Sequence, residues 1–203
     1  MRRRDVLAGL GSVGVVAGAG AVAVYGLPST GNLEGGGDDG GDSDGDGEAD
    51  RIDPAEIETV DAPGSEAGEI LVPASDDDRP TFIDFFGTWC PPCIDQMPAL
   101  AAAHDRVGDE VLFISITSES VGEDGMLTEA ELVDWWDEHD GSWTLGLDPS
   151  ADLSYLATGY PTAMAIDADG YLRWSETGTK TADELVAGIE HALEVEDGND
   201  GAD

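Results

Sequence analysis

The chain carries little positive charge. Its 203 residues include 8 Lys and Arg against 45 Asp and Glu, which gives a formal net charge of -37. Lysine is almost absent, since Lys180 is the only one in the sequence. A protein that binds nucleic acid needs a basic surface to neutralise the phosphates. The composition therefore excludes a nucleic acid as a partner.

Acidic residues extend through the chain and are not confined to one tail, as the run 76–78 and the pair Asp134 and Asp137 illustrate. This uniform acidity, with arginine favoured over lysine, resembles that of proteins from extreme halophiles, whose hydrated carboxylates keep the surface soluble in concentrated salt. In about 1 M salt the Debye length is about 3 Å, so the repulsion between these charges is largely screened. A surface that attracts a basic partner is the alternative interpretation.

Cysteine is also scarce, since Cys90 and Cys93 are the only two. They follow an apolar run at 82–86 that predicts a buried strand, and they open a predicted helix. Two cysteines three positions apart at a helix start can form a small disulfide. The helix dipole and the amides of the first turn lower the pKa of the first thiol. We therefore predict that Cys90 is the exposed nucleophile and that Cys93 is the buried cysteine that resolves the mixed disulfide.

The segment around these cysteines resembles a thioredoxin-fold active site: a strand, then Trp-Cys-x-x-Cys, then a proline five residues after the second cysteine. Asp84 stands where thioredoxins carry their buried acid, and Pro98 stands where they kink the first helix. The Pro-Pro dipeptide and the Met-Pro-Ala-Leu run are more narrowly similar to TlpA-like extracytoplasmic thiol-disulfide oxidoreductases. The resemblance implies an α/β, thioredoxin-like fold, with a central mixed sheet flanked by helices and the TlpA-type insertion between its two halves.

The resemblance also implies that Asp84 manages the proton of Cys93. Thioredoxins pair their buried acid with a lysine on the neighbouring strand, whereas the counterpart here is Ser115, in a strand without lysine. A carboxyl group in an apolar strand without a cation has a raised pKa, which suits proton exchange with a thiol. An acid that only hydrogen-bonds the backbone is the alternative. Gln96, which lies three residues after Cys93, is expected to contribute little to the rate.

A second motif lies downstream, where Gly159-Tyr160-Pro161-Thr162 precedes a predicted strand. Thioredoxin-like folds place a cis-proline there, beside the CxxC pair, and an X–Pro bond takes the cis form at a cost of only about 0.5–1 kcal/mol. The resemblance implies that Trp89, Tyr160 and Pro161 bind the substrate, with the Tyr160 backbone pairing with a substrate peptide. A trans-proline in an ordinary turn is the alternative.

Apolar patterns and turn residues predict further strands at 57–60, 69–72, 111–117, 143–147, 163–166 and 171–174. The first helix is expected to end near Val107, and capping boxes predict helices after Thr128 and Thr181. Asp148-Pro149 is interpreted as the start of another helix that reaches about Ala157.

Two further expectations concern helix packing and the end of the chain. Trp135 and Trp136, on the helix after Thr128, are interpreted as core residues and not as a binding surface. The chain is expected to fray from Glu194.

The sequence divides into four parts. Residues 1–27, with three arginines before a run of uncharged, mostly small residues, are similar to a twin-arginine export signal. A membrane anchor through residues 6–27 is the alternative. An acidic, Gly/Asp-rich disordered linker follows at 28–55, then a thioredoxin-like domain at 56–195 and an acidic tail at 196–203. We therefore expect a monomer outside the cytoplasm, either secreted or anchored to the outer face of the cell membrane.

Within the linker, Asp42, Asp44 and Asp46 match the first half of a calcium loop of the EF-hand type, and Asp53 stands at the last ligand position. That last ligand is not glutamate, and no apolar helices flank the loop. We interpret this stretch as a flexible spacer, with calcium binding as the alternative. No metal and no cofactor other than the Cys90–Cys93 disulfide is predicted.

The predicted function is reduction of protein disulfides by the CPPC dithiol, in cytochrome c maturation or more generally, with electrons from an unidentified partner. Pro91 and Pro92 have no N–H group, so within the motif only Cys93 can donate a hydrogen bond to Cys90. A weakly stabilised Cys90 thiolate favours a protein that acts as a reductant. The main alternative is a dithiol oxidase or isomerase.

Two other classes fit the motifs less well. A peroxiredoxin-like peroxidase would need a threonine three residues before its cysteine, whereas Thr88 precedes Cys90 by two. A copper-delivery protein would need a wider CxxxC motif and a histidine ligand. His104, His139 and His191 each stand alone on a predicted helix.

Overall fold

A computed structural model describes residues 51–74 and 79–199. The predicted export signal or anchor, most of the linker, the acidic run 76–78 and the last four residues lie outside the described residues, as do Asp42, Asp44 and Asp46 of the calcium-like loop. Within the described ranges, no helix combines the length and apolar character that spanning a membrane requires.

A seven-stranded sheet forms the centre of the fold, in the order β2-β1-β5-β4-β3-β6-β7. β3, β4 and β5 are parallel to one another, and the other neighbours pair antiparallel, so the sheet is mixed as predicted. The strands are β1 Ala55–Thr59, β2 Gly68–Val72, β3 Thr81–Phe86, β4 Leu112–Thr117, β5 Thr144–Leu147, β6 Thr162–Ile166 and β7 Leu172–Thr177. The helices are α1 Pro91–Val107, α2 Glu129–Glu138 and α3 Ala182–Asn199, with short 3-10 turns at Gly108–Glu110 and Ser154–Leu156.

The central strand β3 is buried along its whole length because it has a strand on each side and a packed layer on each face. Side chains alternate between the two faces of a strand. Ile83 and Phe85 belong to one apolar cluster, whereas Phe82 and Phe86 belong to the other, which contains residues of α1, α2 and α3. The same alternation places Asp84 on the same face of β3 as Phe82 and Phe86, which is the face that packs against the helices.

The helix predicted between residues 148 and 157 does not form, and only the 3-10 turn Ser154–Leu156 is present. The reason lies in the buried carboxylate of Asp148, which accepts hydrogen bonds from the amides of Asp152, Leu153 and Ser154 at 2.7–3.0 Å. Ala151 adopts a φ of 59°, which is incompatible with a right-handed helix. A loop held together by Asp148 therefore replaces the predicted helix.

The expected fraying from Glu194 is also wrong, because α3 continues to Asn199. Helix propagation costs little once the preceding turns are fixed, and α3 is fixed by the buried Leu185 and Ile189. The predicted capping box of α2 is present, with Thr128 and Glu131 exchanging hydrogen bonds.

The two tryptophans of α2 pack differently. Trp136 is fully buried, as predicted for a core residue, and its Nε1–H donates to the Pro63 carbonyl at 3.0 Å. Trp135 is half-buried and stacks on Phe86, with ring centroids 5.2 Å apart.

Candidate active site

Cys90 and Cys93 form a disulfide at the start of α1. Cys90 is the N-cap residue, and Pro91 and Pro92 occupy the first two helical positions. The Cys93 amide donates to Cys90 Sγ at 3.3 Å. The Cys93 amide is the one N–H group within the motif that can donate to Cys90 Sγ, since neither proline has an N–H group.

Both cysteines are buried in this oxidised form, with 3% of Cys90 and 1% of Cys93 exposed. The prediction that Cys90 is exposed concerns the reduced thiol, which is absent from this oxidised form, and it stays a prediction. Cys90 packs in the same apolar cluster as Phe86 and Met97, because the disulfide holds its sulfur against the first turn of α1.

Asp84 lies opposite Ser115 in the pairing of β3 with β4, as the sequence analysis predicts. Its Oδ2 accepts a hydrogen bond from Ser115 Oγ at 3.1 Å, whereas its Oδ1 has no partner in the described part of the chain. Burial raises the pKa of Asp84 to about 7, and the Ser115 hydrogen bond partly opposes that rise. The predicted rise of this pKa is confirmed. The Lys180 ammonium is directed elsewhere, toward the Thr177 carbonyl at 3.1 Å.

Trp89 and Tyr160 lie next to each other beside the disulfide motif, with ring centroids 6.0 Å apart in an edge-to-face arrangement. Trp89 is 66% exposed, and its indole lies so close over Gly87 that a Cβ there would be 2.9 Å from the ring. Tyr160 is half-buried, and its hydroxyl is 3.0 Å from Ser118 Oγ. The Tyr160–Pro161 peptide bond is cis, and Pro161 is buried. Trp89 and Tyr160 thus form a partly exposed aromatic surface.

Glu119 is a residue of this site that sequence analysis missed. It follows the carboxyl end of β4, and its carboxylate accepts hydrogen bonds from the Thr88 amide at 2.7 Å and the Thr88 hydroxyl at 2.9 Å. β3 and β4 are parallel, so the residues that follow both strands meet at one edge of the sheet. That rule could have placed Glu119 beside the turn that leads to Cys90.

Gln96 and Pro98 occupy different environments on α1. Gln96 is buried, and its Oε1 accepts a hydrogen bond from the Lys180 amide at 2.6 Å, which connects α1 to the segment before α3. Pro98 lies inside the helix, at an exposed position.

The histidines remain separate from the disulfide motif. His104, on α1, contacts Phe113 and Trp143, while Nδ1 of His139 is 2.7 Å from the Trp135 carbonyl. Over the described ranges, no group of three or more His, Cys, Asp or Glu residues is arranged to hold a metal ion.

A CxxC disulfide that begins the helix after a central strand, on a mixed sheet with a neighbouring buried acid, defines a redox protein of thioredoxin-like fold. A solved structure with this fold is the pneumococcal exposed lipoprotein thioredoxin Etrx1 from Streptococcus pneumoniae strain TIGR4. The match has a TM-score of 0.54 and 22% sequence identity, and it covers 68% of this chain and 98% of that chain.

The chain belongs to the redoxin family, whose sequence pattern it matches over residues 60–193. It is similar to the thioredoxin-like protein YneN of Bacillus subtilis strain 168, with 23% identity over 108 residues, which is 53% of this chain and 61% of YneN. It is also similar to the thiol-disulfide oxidoreductase ResA of Bacillus cereus strain ZK / E33L, with 24% identity over 106 residues, which is 51% of this chain and 58% of ResA. The match thus spans about three fifths of the length of these relatives.

Proposed function

We propose that this protein is a thiol-disulfide oxidoreductase that reduces protein disulfides outside the cytoplasm. The observation that carries the proposal is the Cys90–Cys93 disulfide, with Cys90 as the N-cap of α1. The similarity to ResA, which is named a thiol-disulfide oxidoreductase, supports the same chemistry.

The reaction begins with both cysteines reduced. The Cys90 thiolate attacks one sulfur of the substrate disulfide, forms a mixed disulfide and expels the other substrate sulfur as a thiolate. The Cys93 thiolate then attacks Cys90 Sγ, which releases the second substrate thiolate and forms the Cys90–Cys93 disulfide. Two electrons pass to the substrate, and two protons convert its thiolates to thiols. An external dithiol partner must then reduce the protein disulfide to complete the cycle.

Asp84 accepts the proton of Cys93 in this proposal, so that Cys93 can act as the resolving thiolate. Asp84 lies on the face of β3 that packs against α1, and it is 1% exposed. With a pKa raised to about 7, its carboxyl group takes up and releases a proton near neutral pH.

The direction of electron flow is proposed to be reductive. The Cys93 amide is the one donor to Cys90 Sγ within the motif, because Pro91 and Pro92 cannot donate. Oxidising CxxC sites stabilise their reduced form strongly. A single hydrogen bond of 3.3 Å to Cys90 Sγ does not supply strong stabilisation of the Cys90 thiolate.

Substrate contact is assigned to Trp89, Tyr160 and Pro161. Trp89 offers a 66% exposed indole next to the half-buried Tyr160 ring. The proposed substrates are disulfide-bonded proteins, including apocytochromes c and other extracytoplasmic proteins.

The proposed location rests on the N-terminal sequence, which resembles a twin-arginine signal. The related pneumococcal structure is of a protein named as an exposed lipoprotein. No cysteine follows the apolar N-terminal run before the active site, so attachment here would use the run itself. The net charge of -37 supports an origin in a high-salt environment.

Reduction of insulin disulfides by the full chain in molar salt tests the proposal, with Cys90→Ser as the inactive control. A reduction potential near the thioredoxin value of about -270 mV supports the reductant. A potential near the DsbA value of about -120 mV would make the protein an oxidase instead. No acceleration over the control would reject the proposed activity altogether.

A further inference from the structure

The two residues that follow β4 hold opposite sides of the aromatic surface beside the disulfide motif. Ser118 Oγ and the Tyr160 hydroxyl are 3.0 Å apart and form a hydrogen bond. The next residue, Glu119, accepts hydrogen bonds from the Thr88 amide and hydroxyl, and Thr88 directly precedes Trp89. One side of the aromatic surface is thus tied to Ser118 and the other side to its neighbour.

The segment that makes both contacts is itself held against the end of β4. Thr117, the last residue of β4, is buried, and its hydroxyl donates to Glu119 Oε2 at 3.2 Å. The Glu119 amide donates in turn to Thr117 Oγ1, also at 3.2 Å. Because Ser118 lies between these two residues, its backbone is held on both sides. Its hydroxyl therefore has a defined position relative to the sheet.

The hydrogen bond to Ser118 acts at the far end of the Tyr160 side chain. The Tyr160 ring packs against both apolar clusters of the core, and the next residue, Pro161, is buried. With the hydroxyl held by Ser118, the ring makes its edge-to-face contact with Trp89, in which the ring centroids are 6.0 Å apart. This is a favourable geometry for two aromatic rings. Ser118 thus holds the tip of the ring that Trp89 contacts.

We propose that Ser118 is a positioning residue for substrate specificity, which keeps Tyr160 and Trp89 in an arrangement that receives an aromatic side chain next to the substrate cysteine. Trp89 is 66% exposed, so a further ring can pack on its indole. An aromatic side chain buries a large area there and gains from the ring geometry. Without the Ser118 hydroxyl, the tip of the Tyr160 ring is released and the arrangement loosens. The use of this surface by a substrate rests on the proposed function.

Fluorine NMR of the oxidised full chain in molar salt, labelled with fluorotryptophan, tests the proposal without turnover. The Trp89 resonance is assigned by its loss in Trp89→Phe. Two short peptides are titrated against it, in which serine replaces the substrate cysteine and the flanking residue is phenylalanine or glycine. We expect the parent to bind the phenylalanine peptide more tightly. Ser118→Ala should reduce that preference about 2- to 10-fold, which is the usual net contribution of one hydrogen bond.

Tyr160→Phe removes the other hydroxyl and keeps the ring, so it should reduce the preference by the same factor, with no further reduction when it is combined with Ser118→Ala. Ser118→Thr retains a hydroxyl and should retain the preference. Ser120→Ala, which alters an exposed serine two residues further on, is the matched control and should leave the preference unchanged.

Equal binding of the two peptides by the parent would overturn the proposal. A preference that is unchanged in both Ser118→Ala and Tyr160→Phe would also overturn it, and Tyr160→Phe alone decides if Ser118→Ala does not fold. Insulin reduction is measured separately. A preference that depends on Ser118 in a protein that does not reduce insulin would reject the proposed function and retain this binding surface.

Discussion

Glu119 accepts two hydrogen bonds from Thr88, one from its amide at 2.7 Å and one from its hydroxyl at 2.9 Å. Thr88 lies two residues before Cys90, in the turn between β3 and α1. A carboxylate that follows β4 therefore holds the turn that leads to the attacking cysteine. Because carboxylate hydrogen bonds are among the stronger ones in proteins, we interpret Glu119 as a positioning residue for this turn.

Replacement of Glu119 by alanine should loosen the turn and leave the Thr88 donors without their acceptor. We expect a loss of stability of about 1–3 kcal/mol and a rate of insulin reduction lowered roughly 10-fold, since small misplacements of reacting groups are costly. Glu123→Ala, an exposed acid in the loop that follows, is the matched control. Equal rates and stabilities in the two variants would show that Glu119 does not position the turn.

The raised pKa of Asp84 predicts how stability depends on pH. Folding raises this pKa from 3.8 to about 7, so the folded state binds the proton more strongly than the unfolded state. Ionised Asp84 therefore destabilises the fold. This destabilisation is absent below about pH 4, grows between about pH 4 and 7, and reaches at most about 4 kcal/mol above that range.

Asp84→Asn removes this cost, so we expect it to be more stable than the parent at pH 8 and to lose that advantage as the pH falls toward 4. Chemical denaturation across that range measures the difference. Asp95→Asn, which alters an exposed acid on α1, should show no such trend. A constant difference between Asp84→Asn and the parent would mean that the pKa of Asp84 is not raised.

Asp84→Asn should also slow the resolution of the mixed disulfide, because Cys93 loses its proton acceptor. General-base groups typically contribute about 10²–10⁴-fold, and single-turnover reduction of a model disulfide between pH 6 and 9 measures the effect. Gln96→Ala is the control: it should keep the parent's rate but lose about 1–3 kcal/mol of stability with the hydrogen bond to Lys180. Unchanged rate and pH dependence in Asp84→Asn would remove Asp84 from the mechanism.

The acidic composition predicts a requirement for salt. With a net charge of -37, the folded chain repels itself in dilute buffer, whereas at about 1 M salt the Debye length falls to about 3 Å. We expect the melting temperature to rise steeply over a series from about 0.1 M to molar KCl. A melting temperature that does not respond to salt would leave the charge to be explained by a basic partner.

The sequence predicted the sheet and the redox motif because their signals are local. The buried run 82–86, the CxxC pair and the capping box at Thr128 each determine structure through neighbouring residues. The pairing of Asp84 with Ser115 was also predicted, from the resemblance to thioredoxins, whose buried acid faces a residue of the neighbouring strand.

The sequence-based predictions failed where a side-chain contact overrides the structure that the local sequence pattern favours. The carboxylate of Asp148 accepts amide hydrogen bonds from Asp152 to Ser154 and so prevents the helix that Asp148-Pro149 favoured. The contact of Glu119 with Thr88 joins residues 31 positions apart, and so does that of Ser115 with Asp84. Only the second was predicted, because the resemblance to thioredoxins points to the strand residue opposite the buried acid, whereas no motif marks Glu119.

The central claim is that Cys90 attacks a substrate disulfide and Cys93 resolves the product. The most direct test mixes the reduced Cys93→Ser full chain with insulin in molar salt and identifies the covalent adduct by non-reducing electrophoresis and peptide mass spectrometry. We predict a stable mixed disulfide at Cys90, since Cys93 is absent as the resolving thiol, and no such adduct with Cys90→Ser. An adduct that forms through Cys93 in Cys90→Ser, with none in Cys93→Ser, would contradict the account.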